Sequence, residues 1–260
     1  MSVKVVRLFI VVFWLFMTGW LVVREILPDF YFGTPPTYQV PYLHIPEPLV
    51  RQMGIYLAGK RLGYTRVILN PETPQGRVVR SETAVETGMG FLPSDISLSV
   101  QLDPRGGLVS FDGEIAGQNW QTAIRGHVEG SQLMIDEPPG VSPLLYNNRV
   151  PLDTPFGSTL SMKDLHLGKR WRMAILNPFQ QAGTVEYATA QVVALEKIRL
   201  DRQDIETYVV EVKFGGYEIN RTRLWIDMEG EVVKQELPFK ITLIREKSDD
   251  KDRKGDEEVR

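Results

Sequence analysis

Few side chains in this chain are suited to bond-making chemistry, and their spacing argues against most of it. There are three histidines, His44, His127 and His166. They fall in a proline-rich stretch, on an expected strand and near a short expected helix. No two have the i, i+4 or similar separation that places imidazoles on one metal. There is no cysteine, so thiol catalysis, thiolate metal sites and disulfides are excluded. Ser-His-Asp sites assemble in space, so the sequence leaves one open. No serine stands in a Gly-x-Ser-x-Gly elbow, however, and Gly157-Ser158 reads as a helix start. Gly106-Gly107 and Gly215-Gly216 lie in hairpins and not before helices, where a phosphate would be cradled.

Two charged pairs remain. Asp112 and Glu114 share a strand face and could form a carboxylate pair for glycoside hydrolysis, but charges beside a turn are ordinarily solvated. Arg221 and Arg223 share a face with Ile219 and Trp225. They could contact an anionic headgroup, the alternative being cross-strand pairing with Glu or Asp. The expectation is therefore a chain with no catalytic residues, no metal and no cofactor. The formal net charge of −3 gives no footprint for a nucleic-acid partner.

The strongest signal is physical. Leu8 to Val23 carries no charge. Extended by Val5 and Val6, with Arg7 snorkelling, it makes a helix of roughly 28 Å, against about 30 Å for a bilayer core. Leu8, Phe9, Phe13, Trp14, Leu15, Phe16, Trp20 and Leu21 are its expected lipid contacts. The run is apolar on every face, unlike a core helix. Bulky Trp20, Leu21, Val22 and Val23 stand where a signal peptidase would need small residues, so residues 1–27 read as an uncleaved signal anchor. Lys4 and Arg7 before the span place the N-terminus in the cytoplasm by the positive-inside rule. The rest of the chain would then lie in the periplasm of a bacterial cell, beside the inner membrane.

Residues 28–49 hold Pro28, Pro35, Pro36, Pro41, Pro46 and Pro48 and read as an extended linker. Residues 50–245 read as a β-domain. Ile96, Leu98, Val100 and Leu102 alternate with Ser97, Ser99 and Gln101, the period of a sheet with one buried face. Tyr208, Val210, Val212 and Phe214 do the same. Glycine-bearing turns at 58–60, 103–107, 129–131 and 227–230 separate about a dozen strands. The domain divides into halves, 50–136 and 156–245, joined by a long loop from Glu137 to Pro155. Ser158 to Leu165 is the one expected helix within it. Residues 246–260 are charged throughout and read as a disordered tail.

Gly54-Ile-Tyr-Leu-Ala-Gly-Lys-Arg-Leu-Gly-Tyr64 resembles the opening hairpin of DUF3108-like periplasmic proteins and of the β-domains found beside transglutaminase-like modules. Leu224 to Pro238, with Trp225, Asp227, Gly230 and Glu236, is similar to their closing hairpin. Leu167 to Met173 is similar to the strand that opens their second half. The resemblance implies a strongly curved antiparallel sheet, like the half-barrels of lipoprotein carriers, and no catalytic residue. Two roles follow as expectations. One is binding or handing on a lipid or other amphiphile in the concave face. The other is a structural accessory subunit of an integral-membrane complex such as a transporter, with Trp14, Thr18 and Gly19 packed on partner helices.

Overall fold

A computed structural model describes residues 3–25, 33–39, 47–86, 94–104, 106–137, 140–145, 161–176, 185–214 and 221–246. Helix α1 covers Val3–Glu25. The strands are β1 Thr37–Gln39, β2 Leu49–Leu57, β3 Lys60–Leu69, β4 Arg77–Val85, β5 Asp95–Leu102, β6 Leu108–Ala116, β7 Gln121–Glu129 and β8 Gln132–Glu137. They continue with β9 Gly140–Leu145, β10 Ser161–Lys163, β11 Arg170–Leu176, β12 Val185–Leu200, β13 Gln203–Phe214, β14 Arg221–Asp227, β15 Val232–Glu236 and β16 Ile241–Glu246.

The chain is mainly β, as expected. Fourteen strands form one antiparallel sheet in the order β11-β12-β13-β14-β15-β16-β2-β3-β4-β5-β6-β7-β8-β9. Each half is a meander, and the halves join where the last strand, β16, pairs with β2. The sheet is open: among the described residues β9 and β11 each have a single neighbour. One face is apolar along its whole width. Register carries it from Trp171 through Ala190, Val212 and Val210 to Leu224, then through Gln235 and Leu243 to Ile55. It continues into Val67, Val79, Leu98, Phe111 and Leu133. Among the described residues no helix covers this face, since α1 packs none of its span against the domain. Burial of Phe111, Leu133, Ile226 and Leu243 at 0–1% exposure requires the sheet to curl around its own apolar side.

Close packing along the curl uses glycine where side chains would collide. Gly126 sits opposite Phe111, and a Cβ there would overlap the ring. A smaller cluster lies on the outer face. Val209, Trp225 and Val233 are buried there under Ala194, Ile198 and Leu200. The hairpin β12–β13 runs past the end of β14, and register shifts at Val192/Ala194, so its far end bends over this patch.

Two expectations are corrected, and the described part of the extended stretch 28–49 is seen to pack on the domain. Of the expected helix 158–165 the described part, Ser161–Leu165, is not helical: Ser161–Lys163 is strand β10, paired with β1. A short segment with weak helical preference is captured by pairing: the Met162 amide also donates to the Gly230 carbonyl, and its side chain joins the core beside Trp171. The expected loop 137–155 contains strand β9, with Pro143 opposite Met134; an edge strand tolerates proline. Residues 146–155 lie outside the described residues. The proline-rich stretch 28–49 does not hang free throughout. Pro36 is buried, Gly33 sits against the Arg170 carbonyl, and Thr37–Gln39 is β1. Of the charged tail, Glu246 ends β16 and the remainder lies outside the described residues.

Candidate functional site

The inner face buries a few polar side chains, Thr65, Arg77, Ser81, Thr83, Thr222 and Gln235 among them, and one pair is mutually bonded. Thr65 and Thr83 face each other across β3 and β4, where the Thr83 hydroxyl donates to Thr65 Oγ1 at 2.8 Å. Trp171, Val192, Val210 and Ile226 are fully buried in one cluster of this face, and Leu243 is fully buried in a neighbouring one. They form a packed core and carry no acid, base or nucleophile.

The outer face of β4–β7 carries a shallow groove of about 220 Å³. Its floor is Ser97 and Ser99, and its walls are Arg80, Glu82, Asp112, Glu114 and Arg125. Asp112 and Glu114 are therefore neighbours on one face, as expected. Asp112 is 66% exposed and pairs with Arg125 Nε at 3.1 Å. Glu114 accepts from Gln121 Nε2. Both carboxylates are solvated and engaged, without the enclosed geometry of an acid–base pair.

His127 is exposed beside Glu129, with Nε2 3.1 Å from Oε1. His166 is exposed with Nδ1 3.3 Å from the Leu167 carbonyl. His44 lies outside the described residues. Among the described residues no group of three His, Asp or Glu is placed to hold a metal.

Charged networks staple the sheet at its seams. Glu246 on β16 accepts from Tyr56 Oη at 2.9 Å and from Arg61 Nε and Nη2 at 3.1 and 2.9 Å, with Gln52 Nε2 at 3.3 Å. These donors, Arg61 first, hold its carboxyl below the usual glutamate range. Burial, with the Glu246 hydrogen bond and charge adding to it, pushes the Tyr56 phenol up. On the turn from β14 to β15, Arg245 Nη1 donates to Asp227 Oδ2 at 3.0 Å and Glu231 Oε2 at 3.3 Å, and Arg51 pairs with Glu231. Burial raises the Asp227 carboxyl despite the Glu231 amide and Arg245.

Arg221 and Arg223 emerge on the outer face of β14, as alternation implied. Both reach Glu211 Oε2, at 3.2 and 3.5 Å, while Lys213 Nζ lies 3.3 Å from Oε1. Cross-strand pairing is thus present, but three cations share one carboxylate. Two further members escaped the sequence reading. Arg172 stacks over the Tyr187 ring at 4.1 Å on the same face. Their outward positions follow from alternation, but their adjacency needs the order of β11–β14. Trp225, one step along, donates Nε1–H to Glu196 Oε2 at 2.9 Å and lies 4.1 Å under Lys234 Nζ.

The expected membrane contacts all lie on α1 and are exposed. Trp14 is 62% and Phe16 68% exposed, and Leu8, Phe9, Phe13, Leu15, Trp20 and Leu21 are uncovered likewise. Lys4–Val23 has a mean hydropathy of 2.2 and is apolar and long enough to cross a bilayer.

No protein-family model matches this chain, that of the DUF3108-like family included, and no curated protein matches it. It is similar to solved structures of β-rich proteins. One is a β-barrel-like protein of the domain of unknown function DUF1849 from Brucella abortus, with a TM-score of 0.47 and 12% identity over 76% of this chain and 95% of that one. Another is a DUF1089 family protein from Pseudomonas aeruginosa, with a TM-score of 0.36 and 12% identity over 76% and 92%. A third is the hypothetical lipoprotein YmcC from Escherichia coli, with a TM-score of 0.31 and 13% identity over 87% and 97%.

Proposed function

We propose that this chain is a membrane-anchored, non-enzymatic β-domain that works through its outer surface, as an accessory subunit of an inner-membrane complex. The observation that carries this reading is a contrast in burial. The centre of the concave face is filled by its own side chains, Trp171, Phe111, Leu133 and Leu243 among them, at 0–1% exposure. Helix α1, by contrast, leaves fifteen large apolar side chains exposed. A carrier of acyl chains needs an open apolar cavity in place of that packed centre, while lipid or a partner helix can cover α1.

Lys4 and Arg7 before the span favour a cytoplasmic N-terminus and a periplasmic domain. Gly19 and Thr18 offer a small-residue face on which a partner helix can approach closely.

A photo-crosslinking residue at Trp14 or Gly19 tests this in whole cells. The expected result is one crosslinked species of discrete mass, kept through extraction in mild detergent. Mass spectrometry of the purified chain supplies the opposing outcome. A strictly monomeric protein that retains close to one acyl lipid per chain would overturn the accessory role in favour of lipid carriage.

A further inference from the structure

The outer face of β11–β14 gathers basic side chains from β11, β13 and β14. Register builds two rows across it, Arg172–Thr189–Lys213–Arg221 and Arg170–Gln191–Glu211–Arg223. Together they hold five cations and one carboxylate, and a second carboxylate, Glu236 on β15, lies opposite Arg223 and pairs with Lys234. Lys213 and Arg221 are direct cross-strand partners, an arrangement of like charges that weakens a sheet. Glu211 is 13% exposed and is shared among Lys213, Arg221 and Arg223, which are 37–42% exposed. Arg223 Nε is buried and makes an ion pair with Glu211 Oε2 at 3.5 Å without hydrogen-bond geometry. Beside this block Tyr187, 54% exposed, lies under Arg172. Four strands at about 4.8 Å spacing give the patch a width of roughly 14 Å, enough for more than one lipid headgroup.

The anchor brings this face to a bilayer. Gly33 sits against the Arg170 carbonyl, at the start of β11. The chain from Glu25 to Gly33 spans at most roughly 28 Å fully extended. The β11 edge therefore stays within that reach of the membrane surface.

We infer that the outer face of β11–β14 rests on the anionic phosphate headgroups of the membrane that α1 spans. Arg172, Lys213, Arg221 and Arg223 meet phosphate oxygens, and Tyr187 lies at headgroup level, where amphipathic rings are favoured. Glu211 keeps the cations gathered when lipid is absent. This inference rests on the anchor reading above.

The absence of native cysteine makes the test direct. Thr189→Cys, between Arg172 and Lys213, is labelled with an environment-sensitive dye in the full chain; Ser99→Cys on β5 is the control. The chain is reconstituted in vesicles of phosphatidylcholine alone, or with about a third phosphatidylglycerol, each carrying spin-labelled lipid. Quenching at position 189 is expected to be several-fold stronger in the anionic vesicles and to fall in high salt, with position 99 unchanged. Lys213→Gln with Arg221→Gln and Arg223→Gln should weaken that contact by more than about tenfold, at roughly a factor of five for each lost charge.

Equal quenching in both vesicle types, or quenching indifferent to salt in the unsubstituted background, would overturn the contact face while leaving the anchor intact. The salt arm needs no charge substitution, so a misfolded triple variant cannot obscure the result. Failure of the chain to float with either vesicle after an alkaline wash would instead overturn the anchor, and the contact with it.

Discussion

Gly54 on β2 lies directly beside Glu246 on β16, and a Cβ on Gly54 would overlap the Glu246 carboxylate and crowd the Tyr56 ring. The first and last strands of the sheet are thus locked by a missing side chain as well as by hydrogen bonds. Gly54→Ala should cost about 1–3 kcal/mol by overpacking. Glu246→Ala should also destabilise, because it leaves Tyr56, Arg61 and Gln52 without their shared acceptor. In the double variant the clash is relieved, so the two costs should fall short of additive by 0.5 kcal/mol or more. Urea denaturation of the four proteins in detergent measures the coupling, and simple additivity would refute the packing argument.

The same carboxylate gives the seam a pH dependence opposite to that of Asp227. Glu246 has a lowered folded pKa, chiefly through Arg61. Its contribution is present above the unfolded value of about 4.3 and is lost as pH falls through the lower folded value. Asp227 has a raised folded pKa, chiefly through burial. Its native state binds the proton first, so it opposes folding increasingly as pH rises from about 3.9 through the folded value. Glu246→Gln should flatten the loss of stability on acidification. For Asp227→Asn, the stability difference from the parent should move in favour of Asn as pH rises. Denaturation midpoints between about pH 3 and pH 7 report both slopes, and slopes of the same sign would contradict this assignment.

Alternation made most strands legible. Ile96, Leu98 and Val100 are buried and Ser97 is exposed, as a period of two requires, and Val210 and Val212 share the core with Ala190. What alternation could not supply was sheet order. The β16–β2 seam, and with it the Glu246 cluster, joins residues nearly two hundred positions apart. The grouping of Arg172 with Lys213 and Arg221 likewise depends on β12 lying between β11 and β13. Strand β10 was misread because three residues carry too little pattern to oppose a helix-like composition. Strand β9 was hidden by Pro143, which reads as a loop signal unless the strand is known to lie at an edge.

Thr65 and Thr83 offer a test of how the inner face tolerates polarity. They are 2% and 5% exposed, and the Thr83 hydroxyl donates to Thr65 across the β3–β4 ladder at 2.8 Å. Thr83→Val should cost about 1–3 kcal/mol, since it leaves the Thr65 hydroxyl buried without that partner. Replacing both by Val removes donor and acceptor together at constant shape and should come close to neutral. Thermal unfolding of the single and double variants distinguishes this from a cavity or strain effect, for which the double variant would be the worse.

The helix makes the sharpest demand on environment. Trp14 is near the middle of Lys4–Val23 and Trp20 near its end. If the span crosses a bilayer, an arginine at position 14 sits at the centre of the hydrocarbon and costs about 2.5–3.5 kcal/mol on an insertion scale, or roughly a hundredfold in the inserted fraction. An arginine at position 20 can extend its guanidinium to the interface and should cost far less. Trp14→Arg should therefore release the protein from the membrane fraction under alkaline carbonate, while Trp20→Arg stays bound. If the helix instead packed on the surface of a soluble partner, the result would follow which face each residue occupies and not its depth. The comparison of the two positions, and not the loss at either alone, is what separates a spanning segment from an apolar docking helix.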